Sequence, residues 1–229
     1  MSRAEELAAA LTALEARLSA ACIAADRERA ELILVAVSKT HPASDVEALR
    51  ELGVRDFGEN RDQEAKHKAA RVAAVRWHFV GPLQRNKAGS VASYVDVVHS
   101  VDRPALVTAL SDGAVRAGRE LEVLIQVSLD GDPGRAGAQA SQVPMLADAV
   151  ATATGLQLRG VMAVAPRHAD PGAAFAALYD VALRVRREHP QARAISAGMT
   201  GDLEPAVAAG ATYLRVGTAL FGRRPPPLR

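Results

Sequence analysis

Eight short strand-like segments, the first seven each followed by a stretch of helical periodicity, constrain this chain more than any other feature. The first, Leu32-Ile33-Leu34-Val35-Ala36-Val37, has no polar residue. Such a run reads as a strand buried on both faces, the mark of a parallel sheet. Further strands are predicted at 54–57, 76–80, 95–99, 122–127, 156–164, 192–196 and 212–216, and helices at 44–52, 61–75, 83–92, 103–118, 141–154, 171–189 and 202–209. Pro104 falls in a first helical turn, where proline is tolerated. Asp202 is placed to cap the last of these helices and Gly210 to end it. Strict alternation predicts a parallel sheet with right-handed crossovers. Eight repeats in about 200 residues make a minimal (β/α)8 TIM-type barrel. An open doubly wound sheet fits less well, because no G-x-G-x-x-G follows the first strand.

An additional helix precedes the first strand. Leu7, Leu11, Leu14, Leu18, Ala21 and Ala25 form one apolar stripe. The stripe decays to alanine after Leu18, which favours packing on the barrel over a coiled coil. Little chain follows the eighth strand, so residues 1–28 are expected to cover the gap there. A length of 229 residues allows one large domain or two small ones. No linker rich in Pro, Gly and Ser interrupts the chain, so 1–229 reads as one domain with a basic tail at 223–229.

Composition excludes several function classes. A net charge of +2 argues against a nucleic-acid partner. The single cysteine, Cys22, cannot form an internal disulfide, which fits a reducing, cytoplasmic setting. No uninterrupted apolar run approaches the roughly 18–20 residues of a membrane span. Glu5 and Glu6 follow the start too closely for a signal peptide. Without a large apolar stripe beyond the first helix, a monomer is expected. The six histidines show no metal-ligand spacing. The alternation around His78 marks it as a satisfied core histidine.

The 28 basic residues include only four lysines: Lys39, Lys66, Lys68 and Lys87. Lysine can lose its proton and form an imine, and arginine in practice cannot. Lys39 directly follows the apolar first strand, in Ser38-Lys39-Thr40-His41, where barrels place their chemistry. Two readings stand for it: a strand-end lysine reaching solvent, or an amine of depressed pKa poised to form a Schiff base. Lys66 and Lys68 lie in a polar helix and are expected to be solvated. Lys87, near a helix start, is ambiguous. After strands seven and eight come Ser196-Ala197-Gly198-Met199-Thr200-Gly201-Asp202 and Gly217-Thr218. Glycines and hydroxyls at two adjacent strand ends suit a phosphate, although simple helix capping explains either alone. Arg215 shares a strand face with Tyr213 and needs an acceptor whether it points in or out.

These strings together resemble the pyridoxal-phosphate homeostasis protein family, whose fold is like the N-terminal barrel of alanine racemase. The resemblance runs from about residue 31 to 222. It is carried by Val35-Ala36-Val37-Ser38-Lys39-Thr40, by Phe57-Gly58-Glu59-Asn60 with Gln63-Glu64, and by Trp77-His78-Phe79-Val80-Gly81 through Lys87. It continues through Leu124-Ile125-Gln126-Val127, Gly160-Val161-Met162, the Ser196–Asp202 string and Leu214-Arg215-Val216-Gly217-Thr218 up to Gly222. It implies pyridoxal 5′-phosphate (PLP) as cofactor, held as a Schiff base on Lys39. It implies a phosphate cradle of Ser196, Met199, Thr200, Gly217 and Thr218, with Arg215 facing the pyridine nitrogen and Asn60 beside the ring. A fixed cation at that nitrogen weakens PLP as an electron sink.

Racemases of the similar fold take a second acid/base group from a further β-rich domain. This chain continues about seven residues past Gly222, so no such pair is expected. The implied role is a PLP-binding carrier without catalytic residues, acting in PLP homeostasis and passing the cofactor to apo-enzymes. The alternative is an enzyme, either a PLP-dependent amino-acid racemase or another lysine Schiff-base enzyme, with Tyr94, Tyr179 or Tyr213 as general acid. Three departures from the family pattern stand out. Ser128 replaces the usual Asn and Arg135 the usual Lys, and Ala197 and Thr200 stand where Met and Ser are common.

Overall fold

A computed structural model of the chain describes residues 1–132 and 134–222. The basic tail expected at 223–229 lies outside the described residues. The strands are β1 (Ile33–Val37), β2 (Asp56–Glu59), β3 (Arg76–Phe79), β4 (Val97–Val101), β5 (Leu121–Gln126), β6 (Leu156–Met162), β7 (Ala194–Ser196) and β8 (Tyr213–Val216). All neighbours pair in parallel, and β1 also pairs with β8, so the sheet closes in chain order. The (β/α)8 barrel read from the alternation is the fold observed. The helices are α1 (Arg3–Ala24), α2 (Ala43–Glu51), α3 (Asp62–Arg71), α4 (Ala88–Ala92), α5 (Pro104–Ala117), α6 (Val143–Thr152), α7 (Pro171–Glu188), α8 (Leu203–Ala208) and α9 (Thr218–Phe221). Strand positions agree with expectation to within about two residues, and most helices are a few residues shorter. The segment expected as one helix at 83–92 is instead a 3-10 turn, Arg85–Lys87, leading into the single turn and a half of α4.

Alternation along each strand sorts the core into two layers. Outward residues such as Phe57, Trp77, Phe79 and Leu214 are buried under the helices in one continuous cluster. Inward residues fill the axis. They include a small apolar group, Val97, Leu124 and Met162. They also include the polar residues His78, His99, Ser196 and Arg215, each 5% exposed or less. Sequence alternation places Tyr213 and Arg215 on one face, and the structure shows that face to be the interior.

Helix α1 packs against α2, α8 and α9, covering the β8–β1 seam as expected. Its Leu7, Leu14 and Leu18 are 0–3% exposed. A capping box from Ser2 and Glu5 closes its N-terminus. By length and composition alone α1 is apolar enough to cross a membrane, although charged residues interrupt its apolar stretches. In the fold its stripe is spent on the barrel, and its polar residues are tied to it. Arg3 donates to Asp45 and to the carbonyl of Phe221, and Arg17 pairs with Glu204. Cys22 is buried and unpaired with any other cysteine.

Truncating Leu18 to Ala should therefore cost about 2–5 kcal/mol, because it opens a cavity between α1 and the barrel. Ile23, on the same helix but 80% exposed, should change stability by less than about 0.5 kcal/mol on the same substitution. Chemical denaturation of the two variants checks the contrast.

Candidate functional site

The C-terminal ends of β1, β2, β3 and β8 surround a cavity of about 400 Å³. Lys39, His41, Asn60, Met199, Thr200, Arg215, Gly217 and Thr218 line it. Of the eight residues singled out in the sequence, seven thus meet at one mouth of the barrel. The eighth, Ser196, lies beneath: it is 0% exposed, and its Oγ accepts a hydrogen bond from Arg215. Among the described residues no tyrosine lines the cavity. Tyr94 donates to Asp62, Tyr213 faces the axis beside His78, and Tyr179 packs over Gly210.

Lys39 is held by its neighbours on either side. Ser38 and His41 close a turn through the His41 amide and the Ser38 carbonyl, 3.0 Å apart. Inside that turn Thr40 adopts φ +69°, a left-handed conformation that costs a non-glycine residue about 1–3 kcal/mol. Both flanks of Lys39 are tied to one buried charge cluster. Lys68 Nζ donates to the Ser38 carbonyl at 2.8 Å, to Glu59 at 2.6 Å and to Glu64 at 2.7 Å. Ser38 Oγ donates to the same Glu59 oxygen, and the Thr40 amide donates to Glu64.

This corrects the expectation that Lys68 is solvated: it is 3% exposed, whereas Lys66, on the other face of α3, is open to solvent. A helical stripe in which Ala65 and Lys68 fall on the buried face carried the signal, but a polar residue there reads as surface until its carboxylate partners are placed. Burial raises the Glu59 carboxyl above the usual carboxylate range, and Lys68 and Ser38 pull it back. His41, stacked on Phe221 at 4.9 Å, closes the cavity wall. Burial lowers its pKa, with Asp45 opposing. Lys87 is half exposed and reaches toward Asp62 at 3.8 Å.

The opposite wall is built for an anion. The amides of Thr200, Gly201 and Gly217 carry no acceptor among the described residues. The Met199 amide is already bonded to Asp202, so Asp202 caps the loop rather than the first turn of α8. Thr200 Oγ1 accepts from the Ala219 amide at 3.2 Å, and Arg17 of α1 holds the Thr200 carbonyl. Gly198 has φ +85°, and a Cβ there would sit 2.6 Å from Ala206 Cβ, so the loop needs glycine.

Arg215 forms the floor. It is buried, and burial lowers its guanidinium to about 10, with Asp202 opposing, so it stays charged at neutral pH. It donates to Ser196 Oγ and, at 2.7 Å, to the Ala163 carbonyl. Ser196 meets His99, His99 meets His78 and His78 meets Asp56, each at 2.8–2.9 Å. His78 is the satisfied core histidine expected, but this connection across the axis was not legible from local patterns. The Gly81 Cα approaches Asn60 so closely that a Cβ would lie 2.6 Å from Asn60 Cβ. Ser128 and Arg135 line an adjoining cavity of about 250 Å³, in which Arg135 is paired with Asp130.

An amine-bearing side chain, a buried fixed cation and a ring of unpaired amides thus face one cavity. That set fits a ligand with an aldehyde, an aromatic nitrogen and a phosphate.

Comparison with known proteins agrees. Residues 10–225 match the family model described as alanine racemase, N-terminal domain. A pyridoxal phosphate homeostasis protein of Mycobacterium tuberculosis is 43% identical, covering 97% of this chain and 94% of that one. One from Escherichia coli is 36% identical over 96% of this chain and 97% of its own length. The solved structure of PipY from Synechococcus elongatus with PLP bound superposes with a TM-score of 0.79 at 34% identity, covering 96% of this chain and all of that one.

Removing Lys68 (Lys68→Met) should cost about 3–5 kcal/mol at neutral pH, because it leaves the Glu59 charge buried without its cation. With Lys68 gone the carboxyl of Glu59 rises further. A raised carboxyl contributes stability that is present at acid pH and lost as pH climbs through its folded value. The gap between variant and wild type should therefore narrow as pH falls toward the usual carboxylate range, read by denaturation at several pH values.

Proposed function

We propose that this chain, which belongs to the alanine racemase N-terminal domain family and within it to the pyridoxal phosphate homeostasis proteins, binds PLP in the cavity at the C-terminal mouth and serves as a carrier in PLP homeostasis. The observation that supports this most is the convergence of Lys39, Arg215 and the unpaired amides of Thr200, Gly201 and Gly217 on one cavity. Bound PLP supplies an aldehyde that couples to an amine, and Lys39 is the lysine in the cavity. The amides, with the hydroxyls of Thr200 and Thr218, hold the phosphate, and Ser196 acts from below by fixing Arg215. Asn60 and His41 enclose the ring, and Gly81 lets Asn60 sit close. Arg215, charged at neutral pH, occupies the place beside the ring nitrogen and keeps that nitrogen unprotonated.

A carrier is favoured over a racemase because proton transfer on both faces of a substrate carbon needs two positioned acid/base groups. Besides the lysine the cavity offers His41, which rises from the same turn and is stacked on Phe221, while the three tyrosines are engaged elsewhere. Transfer to apo-enzymes belongs to the same proposal, since a covalent hold that exchanges with other amines releases cargo without a dedicated reaction.

Borohydride treatment of the protein incubated with PLP, followed by peptide mass mapping, tests the assignment. A pyridoxyl group on Lys39 is expected, with none at Lys66, Lys68 or Lys87. The variant Lys39→Ala should lose the visible absorption band yet retain weaker, phosphate-anchored PLP. A reduced adduct on another lysine, or an unchanged band in Lys39→Ala, contradicts the reading. Thr200→Val should weaken PLP by about tenfold, the loss of one hydrogen bond to a charged group. Equilibrium dialysis measures it.

A further inference from the structure

The axis of the barrel holds a chain of polar groups that the proposed PLP site does not use directly. It starts at Arg215 on the floor of the cavity and passes through Ser196, His99 and His78. It ends at Asp56, the first residue of β2, at the opposite mouth. The two histidines and Ser196 are 0–1% exposed. We propose that Asp56, His78, His99 and Ser196 are positioning residues for Arg215, acting as a one-directional hydrogen-bond relay that fixes the guanidinium from the far mouth of the barrel.

The direction follows from the two ends. A guanidinium can only donate, so Ser196 Oγ accepts from it. A carboxylate can only accept, so His78 donates its Nε2–H to Asp56. In the proposed relay the other nitrogen of His78, Nδ1, carries no proton and accepts from His99 Nε2–H. Neutral His99 in turn presents a bare Nδ1, which accepts the Ser196 hydroxyl proton. Every link has one donor and one acceptor, and none of these atoms is among the buried groups left without a partner. Burial, His78 and Arg215 all hold His99 well below its usual pKa, in keeping with the neutral form. The relay and the Ala163 carbonyl occupy two of the five guanidinium N–H groups, leaving the others for the cavity.

The same polarity makes the relay sensitive to a proton at its far end. The groups around His78 are Asp56 on β2, Arg76 on its own strand, His99 on β4 and the Tyr213 ring at 5.8 Å on β8. Beyond them Glu122 of β5 pairs with Arg76 at 2.8 Å, and Arg159 of β6 reaches Glu122 at 3.6 Å. A second proton on His78 would set its Nδ1–H against His99 Nε2–H. His99 would then have to turn to its other tautomer and donate to Ser196, whose own proton would lose its acceptor beside Arg215.

The inference rests on the PLP reading only for what Arg215 meets in the cavity; its test uses the protein without PLP. In ¹⁵N-histidine-labelled wild type, nuclear magnetic resonance should show His78 and His99 both as the neutral Nε2–H tautomer at neutral pH. Either ring as the Nδ1–H tautomer, or as imidazolium, overturns the relay. Asp56→Ala, at the opposite mouth, should speed exchange of the Arg215 guanidinium protons by about tenfold or more, since a local restraint is gone. Asp56→Glu, which keeps a carboxylate acceptor, should restore slow exchange. Unchanged exchange in a folded Asp56→Ala overturns the relay, and if that variant does not fold, the wild-type tautomers decide. A protein that bound no PLP would leave these readouts standing, so the two readings fail separately.

Discussion

Side chains fill the axis of a closed eight-stranded barrel, and every polar group placed there needs a hydrogen-bond partner. Much of the candidate site follows from that one constraint. Arg215 enters the axis from β8 and is tied to Ser196 and Ala163. Ser196 is tied to His99, and the sequence of obligations ends only where Asp56 meets the outside. The apolar group of Val97, Leu124 and Met162 makes no such demand. The polar connection therefore runs beside it, from the mouth where Lys39 and Arg215 meet to Asp56 at the other.

A similar obligation governs the rim. The turn that presents Lys39 contains a left-handed threonine, which a short loop does not adopt without compensation. Lys68 supplies it. By crossing from α3 to the Ser38 carbonyl, and by holding Glu59 and Glu64 against Ser38 and Thr40, it converts a strained turn into one arrangement. A buried ion cluster is a poor source of net stability, because desolvation offsets the attraction. Its value here is geometric: Lys39 emerges from a backbone clamped on both flanks.

The barrel was legible because its signal is repeated and local. Short strand-like segments alternate with helical stretches, and the order of these segments is the order of the strands in the closed sheet. Lys39, Thr200 and Gly217 were legible for a related reason, since barrel chemistry gathers where strands end, Arg215 from the alternation along its strand, and Asn60 through the family resemblance. Lys68, Glu59 and the Asp56–His78–His99 connection were not. Each depends on contacts between residues 9 to 97 positions apart, and in isolation each looks like a surface charge or a packed ring. The membrane-like length of α1 shows the converse: composition alone suggests a span, whereas in this fold Leu7, Leu14 and Leu18 are buried against the barrel.

The proposed PLP site joins three contacts in one cavity: the aldehyde at Lys39, the phosphate at the amides of Thr200, Gly201 and Gly217, and the ring nitrogen beside Arg215. A crystal structure of the chain grown with PLP tests all three contacts at once. Electron density continuous with Lys39 Nζ is expected, with the phosphate at those amides and the ring edge at Arg215. PLP joined to another lysine, or a ring turned so that its phosphate meets Arg215 instead, would contradict it.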